Sequence, residues 1–189
     1  MSCALGCTIA VAGCGGSPAH RRPGKIPETA DAPPPLPRGW HRITETRSGF
    51  TLGLPPGWTS RSENAATRAR SRDGAAALSV FADRSRDGQE DAPEEYLRRT
   101  IAHFSGYRAL HVGPVRPLPG LAYPAAKVTA SGVFAKTKVR QRIALYALRR
   151  PRQVTYTVAV FRSASSAGSR ETALLERIVR SLRGRPPRL

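Results

Sequence analysis

Between residues 50 and 182 the apolar positions recur with two different periods, and the periods alternate along the chain. In GFTLGLPPGW, Phe50, Leu52 and Leu54 occupy every second position, the spacing of a strand with one buried face. Pro56-Gly57 suits the centre of a type II turn, where glycine supplies the positive φ, and Trp58 then opens a return strand with its indole in the core. ATRARSR and AALSVFA are separated by Asp73-Gly74, a hairpin signal. The period then changes. In DAPEEYLRRTIAHF, Leu97, Ile101 and Phe104 share one helical face, and Asp91 with Glu94 has the spacing of a capping box.

Three more runs return to period two: Ala126, Val128 and Ala130 in PAAKVTA; Val139, Ile143 and Leu145 in TKVRQRIALYAL; Val154, Tyr156, Val158 and Val160 in QVTYTVAVF. The last run, SRETALLERIVRSLRG, is helical again, with Leu174, Leu175, Ile178, Val179 and Leu182 in one stripe and Gly184 and Pro186 ending it. Strands, helix, strands, helix argues an α+β domain: an antiparallel sheet of roughly six strands flanked by two helices. The pattern assigns it residues 39–184, without internal repeats, followed by a short tail at 185–189.

Upstream the pattern is of another kind. Residues 4–12 are small or apolar and uncharged, too few to cross a bilayer, which takes about 20. The length suits the apolar region of an export signal. Val11-Ala12-Gly13-Cys14 resembles a bacterial lipobox, in which the thiol receives a diacylglyceryl group and the chain is cut before it. Small residues there let a peptidase hold the backbone closely. No lysine or arginine precedes the run. A cleaved secretory signal with Cys14 incidental is the alternative. The organisation expected is a lipoprotein signal at 1–13, lipidation of Cys14, and a disordered proline- and glycine-rich tether at 14–38, with order beginning near Trp40. Two acyl chains would hold the protein at the extracytoplasmic face of the cell membrane. All three cysteines lie in the first fourteen residues, so neither disulfides nor thiolate metal sites belong to the folded part.

GFTLGLPPGW, the middle helix and IVRSLR are similar to the corresponding parts of actinobacterial lipoproteins with a PsbP-like domain, a fold named for an extrinsic photosystem subunit. The resemblance covers residues 40–183. It implies an antiparallel sheet flanked by helices, no enzymatic activity, and an accessory, ligand-binding or assembly role. The shared motifs are structural, so it transfers no functional residue.

The formal net charge of +18 makes anionic partners the natural ones: acidic lipid, a cell-wall polymer, or an acidic envelope protein. Codon usage in a GC-rich genome would enrich arginine as well. Nucleic acid is set aside, because aromatics are only 6% and no recognition motif appears. Lys136, Lys138, Arg140 and Arg142 are spaced by two, as are Arg68, Arg70 and Arg72. If the two strands neighbour each other, these residues form one broad anion-binding face. The plainer account is a solvated sheet face, or charges guarding an edge strand.

In DRSRDGQEDAPE, Asp83, Ser85, Asp87, Asp91 and Glu94 fall at ligand positions of a calcium loop, with Gly88 where that loop turns sharply. Serine at the third position, Glu90 at the eighth and the stiffening Pro93 depart from the pattern. A polar turn with acidic residues at a helix amino end is the alternative. No other cofactor is implied. There is no Gly-x-Ser-x-Gly, His-Glu-x-x-His, P-loop or dinucleotide fingerprint, and the four histidines have no metal-ligand spacing. The expectation is a membrane-anchored, non-catalytic accessory protein. Two other readings stay open: an exported hydrolase with a dispersed Ser, His and carboxylate site, and a calcium-stabilised binding module.

Overall fold

A computed structural model describes residues 31–63, 66–164 and 168–185. The signal segment 1–13, Cys14, the tether as far as residue 30, and residues 186–189 of the tail lie outside the described residues. The elements run β1 (His41–Glu45), β2 (Phe50–Leu54), β3 (Thr59–Glu63), β4 (Ala66–Arg70), β5 (Ala76–Asp83), α1 (Arg86–Glu90), α2 (Pro93–Ala102), β6 (Tyr107–Val112), β7 (Arg116–Pro117), β8 (Ala125–Phe134), β9 (Arg140–Arg150), β10 (Val154–Ser163), α3 (Ser169–Arg180) and β11 (Arg183–Gly184).

The class is α+β, but with more strands than the pattern announced. An eight-stranded antiparallel sheet includes the order β3-β4-β5-β10-β9-β8-β6, with β7 also pairing β8, and a second sheet has the order β1-β2-β11. The Asp73-Gly74 hairpin joins β4 to β5 as expected: Ser71 N–H bonds the Ala76 carbonyl at 2.9 Å, and Gly74 takes φ +71°. The turn at Pro56-Gly57 forms too, with Gly57 at φ +78° and Trp58 N–H on the Pro55 carbonyl at 3.3 Å. The strand after this turn does not return along β2. β3 pairs β4 in the large sheet, whereas β2 pairs β1 and β11. The turn therefore carries the chain from one sheet to the other.

β10 is buried along most of its length because both faces of the sheet are covered there. Val154, Tyr156, Val158 and Val160 pack with Phe50, Leu52 and Leu54 of β2 and with Leu175, Ile178, Val179 and Leu182 of the α3 region. On the opposite face, Leu97 and Ile101 of α2 pack on Val128, Ile143, Leu145 and Ala159. Trp58 is in the core, as expected. Val139 is not: it precedes β9 and is exposed.

Two further expectations are corrected. Asp91 does not cap α2, whose N-cap is Ala92 with Pro93 in its first turn. Proline fits there because the lost N–H has no helical partner at that position. Order also begins before Trp40. Asp31 pairs with Arg150 and accepts from the Tyr123 hydroxyl at 2.5 Å, and Arg42 donates to the Pro34 carbonyl at 2.5 Å. The end of the proline-rich segment thus lies against the domain.

Candidate functional site

Register decides which side chains share a face, because residues directly opposite in an antiparallel pair project the same way. Arg68 is opposite Ser79, Ser79 opposite Ala159, and Ala159 opposite Leu145, so Arg68 and Arg70 lie on the α2 face. Arg142 is opposite Arg162, and Arg162 opposite Ala76, which places Arg140 and Arg142 on the α3 face. β5 and β10 also separate β4 from β9. The single broad basic face therefore does not form. Arg68 is occupied by Glu63 at 3.3 Å, and Arg72 is exposed in the β4–β5 turn. Lys136 and Lys138 are exposed in the β8–β9 turn, with Lys138 at φ +55°, and Arg140 is exposed at the start of β9. Of these residues, Arg72 lines a larger cavity of about 930 Å³ beside Trp58 and Glu171, and Arg142, itself exposed, lines a cleft under α3.

That cleft, of about 470 Å³, opens between α3 and the sheet. Its floor is built in rows. One row reads His111, Ser131, Arg142 and Arg162 across β6, β8, β9 and β10. The next reads Thr129, Ala144 and Val160, roofed by Leu175, and the third holds Lys127 and Tyr146. Arg162, only 13% exposed, donates to the Thr172 hydroxyl at 2.9 Å and lies 3.9 Å from Glu171. Burial pushes the Glu171 carboxyl above its ordinary pKa, with Arg162 opposing. Lys127 donates to Glu176 at 2.6 Å, and its ammonium stands 5.3 Å from the Tyr146 ring centroid. Burial pulls the Lys127 pKa down, but the Glu176 and Tyr146 contacts outweigh it and leave it raised. The Arg142 side chain has no hydrogen-bond or ion-pair partner among the described residues. Sequence reasoning named Arg142 and missed His111, Lys127, Ser131 and Arg162. A signal was present: a β9–β10 hairpin centred on Arg152, which takes φ +58°, sets 142 against 162.

The acidic segment joins β5 to α2 through α1. Asp83 accepts from Ser85 N–H at 2.8 Å and from the Tyr96 hydroxyl at 3.0 Å. Ser85 caps α1, its hydroxyl accepting from Gly88 N–H at 3.3 Å. Asp87 and Asp91 both pair with Arg99, and Glu94 sits in the first turn of α2. Gly88 is helical, without the positive φ of a sharp turn. Among the described residues no three His, Cys, Asp or Glu side chains converge where a metal could be held.

For a hydrolase, Ser131 and His111 are directly opposite in the cleft. No hydrogen bond joins them, and no carboxylate bonds His111, among the described residues. Glu171 and Glu176 of α3 are turned to Arg162 and Lys127.

No family model matches the chain, and no curated protein matches its sequence. Solved structures do match. The cyanobacterial PsbP protein CyanoP from Synechocystis superposes with a TM-score of 0.57 at 12% identity, over 77% of this chain and 92% of that one. The Ran-binding protein Mog1p from Saccharomyces cerevisiae gives 0.53 at 8% identity, over 77% and 95%. A crystal structure from Bacteroides thetaiotaomicron gives 0.56 at 9% identity, over 77% of this chain and 48% of that one. The domain has a PsbP-like α+β fold.

Proposed function

We propose that this is a non-catalytic accessory protein that binds an anionic partner at the extracytoplasmic face of the cell membrane, held there by lipid on Cys14. The observation that carries the reading is Arg142 beside Arg162 in a cleft where, among the described residues, the Arg142 side chain has no partner and no serine bonds a histidine. Lys136, Lys138 and Arg140 extend the same positive charge to the tip of the β8–β9 turn. Proteins of this fold include a Ran-binding protein, which supports a partner-binding role. The anchor would raise the local concentration of the domain at the membrane, and the cationic end would gather anionic lipid or an acidic envelope protein there.

Metabolic labelling with a fatty-acid probe tests the anchor: the wild-type chain takes label and Cys14→Ser does not. Binding to phosphatidylglycerol vesicles should weaken steeply with salt, since exposed charges are screened within about 8 Å at physiological ionic strength. Labelling of Cys14→Ser equal to wild type would remove the anchor, and salt-insensitive binding would remove the electrostatic role.

The pairing of Ser131 with His111 favours a second reading, a serine hydrolase. Covalent labelling by a fluorophosphonate, abolished by Ser131→Ala, would establish it in place of the first.

A further inference from the structure

We propose that the cleft beneath α3 is a binding site for a small anionic amphiphile, with one phosphate or carboxylate head and a short apolar body. This names the ligand class of the site described above and rests on the anion-binding part of the proposed function. Arg142 and Arg162 face each other directly across β9 and β10. Like charges so placed destabilise a sheet. Arg162 is partly offset by Glu171 and Thr172, whereas Arg142 meets no counter-charge among the described residues. A bound anion relieves this repulsion, and its oxygens match the planar donor fork of arginine.

The same row continues from Arg142 to Ser131 and His111, which are further polar groups on that side of the cleft. Two residues further along each strand, about 6.6 Å away, the floor becomes Ala144 and Val160 under Leu175. An apolar body leaving the head in that direction stays out of water. At the far end Lys127 is already neutralised by Glu176 at 2.6 Å, so among the described residues the cation left without a counter-charge lies at the Arg142 end, where the head is placed. Its volume of about 470 Å³ lies within the ordinary range for small-molecule sites.

The probe is octyl phosphate below its micellar concentration, titrated calorimetrically into the full chain. Saturable binding is expected, tighter than for inorganic phosphate or octanol. Arg142→Gln should weaken it about tenfold or more, the effect of losing a charge-assisted hydrogen bond. Arg98→Gln, the same charge change on α2, should leave it unaltered. Arg142→Gln should also raise the melting temperature of the ligand-free protein by relieving the Arg142–Arg162 repulsion, which separates loss of binding from loss of folding. Competition by phosphatidylglycerol vesicles would assign the head to a membrane lipid, and absence of competition would assign it to a free molecule; either leaves the head site standing. Absence of saturable binding, or equal loss in Arg142→Gln and Arg98→Gln, overturns the proposal. Salt-sensitive vesicle binding that persists in that case would leave the proposed membrane role intact.

Discussion

Asp31 and Arg150 form an ion pair across 119 positions of sequence, and the Arg150 side chain is only 9% exposed. The same guanidinium bonds Gln153, and the Tyr123 hydroxyl both donates to Asp31 and accepts from Gly184 N–H at 2.8 Å. The proline-rich segment, the large sheet and β11 are thus joined at one point. Burial, together with the adjacent Asp31 carboxylate, pushes the Tyr123 phenol well above its ordinary pKa, so it stays a neutral donor.

Removing one partner of such a pair leaves a nearly buried charge without compensation. Asp31→Ala should therefore destabilise the protein by about 2–4 kcal/mol, and Tyr123→Phe by about 1–2 kcal/mol. Urea unfolding measures both. An unchanged midpoint for Asp31→Ala would show that the segment does not pack on the domain in solution.

Gly88 of α1 lies against the end of β5. A Cβ there would lie 2.6 Å from the Asp83 carbonyl oxygen, and the Gly88 carbonyl accepts from Thr155 at 2.6 Å. The position excludes a side chain because backbone passes beside it. Gly88→Ala should cost about 1–3 kcal/mol by overpacking, read as a lower melting temperature whether or not a chelator is present.

The end of α3 is tied to the small sheet by one hydroxyl. Ser181 Oγ accepts from Gly53 N–H at 2.8 Å and donates to the Ile178 carbonyl at 2.6 Å, and the site is buried. Ser181→Ala strands the Gly53 N–H, so a loss of about 1–3 kcal/mol is expected. Faster hydrogen exchange at Gly53 should accompany it.

Acid should weaken the junction of β5 and α2. Burial acts to raise the Asp83 pKa, but hydrogen bonds from Ser85 and Tyr96 outweigh it and hold it below the ordinary 3.8. A carboxyl depressed in the folded state stabilises above its unfolded pKa, and that contribution vanishes as pH falls through the lower folded value. Asp83→Asn should be less stable than wild type at neutral pH, and the gap should close as the pH drops below about 4. A gap independent of pH would rule out the carboxylate as its source.

The core strands were legible because their apolar residues recur at every second position, as Val154, Tyr156, Val158 and Val160 do on the α3 face of β10, although burial itself is continuous there. β1 and β6 were not, since HRITE and YRALHV bury little and are held by backbone pairing instead. Short α1 was hidden by its resemblance to a metal loop, whose liganding positions here meet Arg99 and Tyr96. Both partners come from α2, which local spacing does not fold back onto the segment.

The candidate site divides in the same way. Alternation alone placed Arg140 and Arg142 together and Arg68 and Arg70 together, because side-chain direction repeats every two residues within a strand. Whether the two sets share a face depends on strand order and register, which are non-local. By itself the sequence determined the class of fold, the sign of the charge and the exclusion of cysteine chemistry from the domain. Only the tertiary structure added Ser131 and His111 to the row of Arg142 and Arg162 and laid Leu175 above it, because those contacts arise from pairing and packing beyond the β9–β10 hairpin.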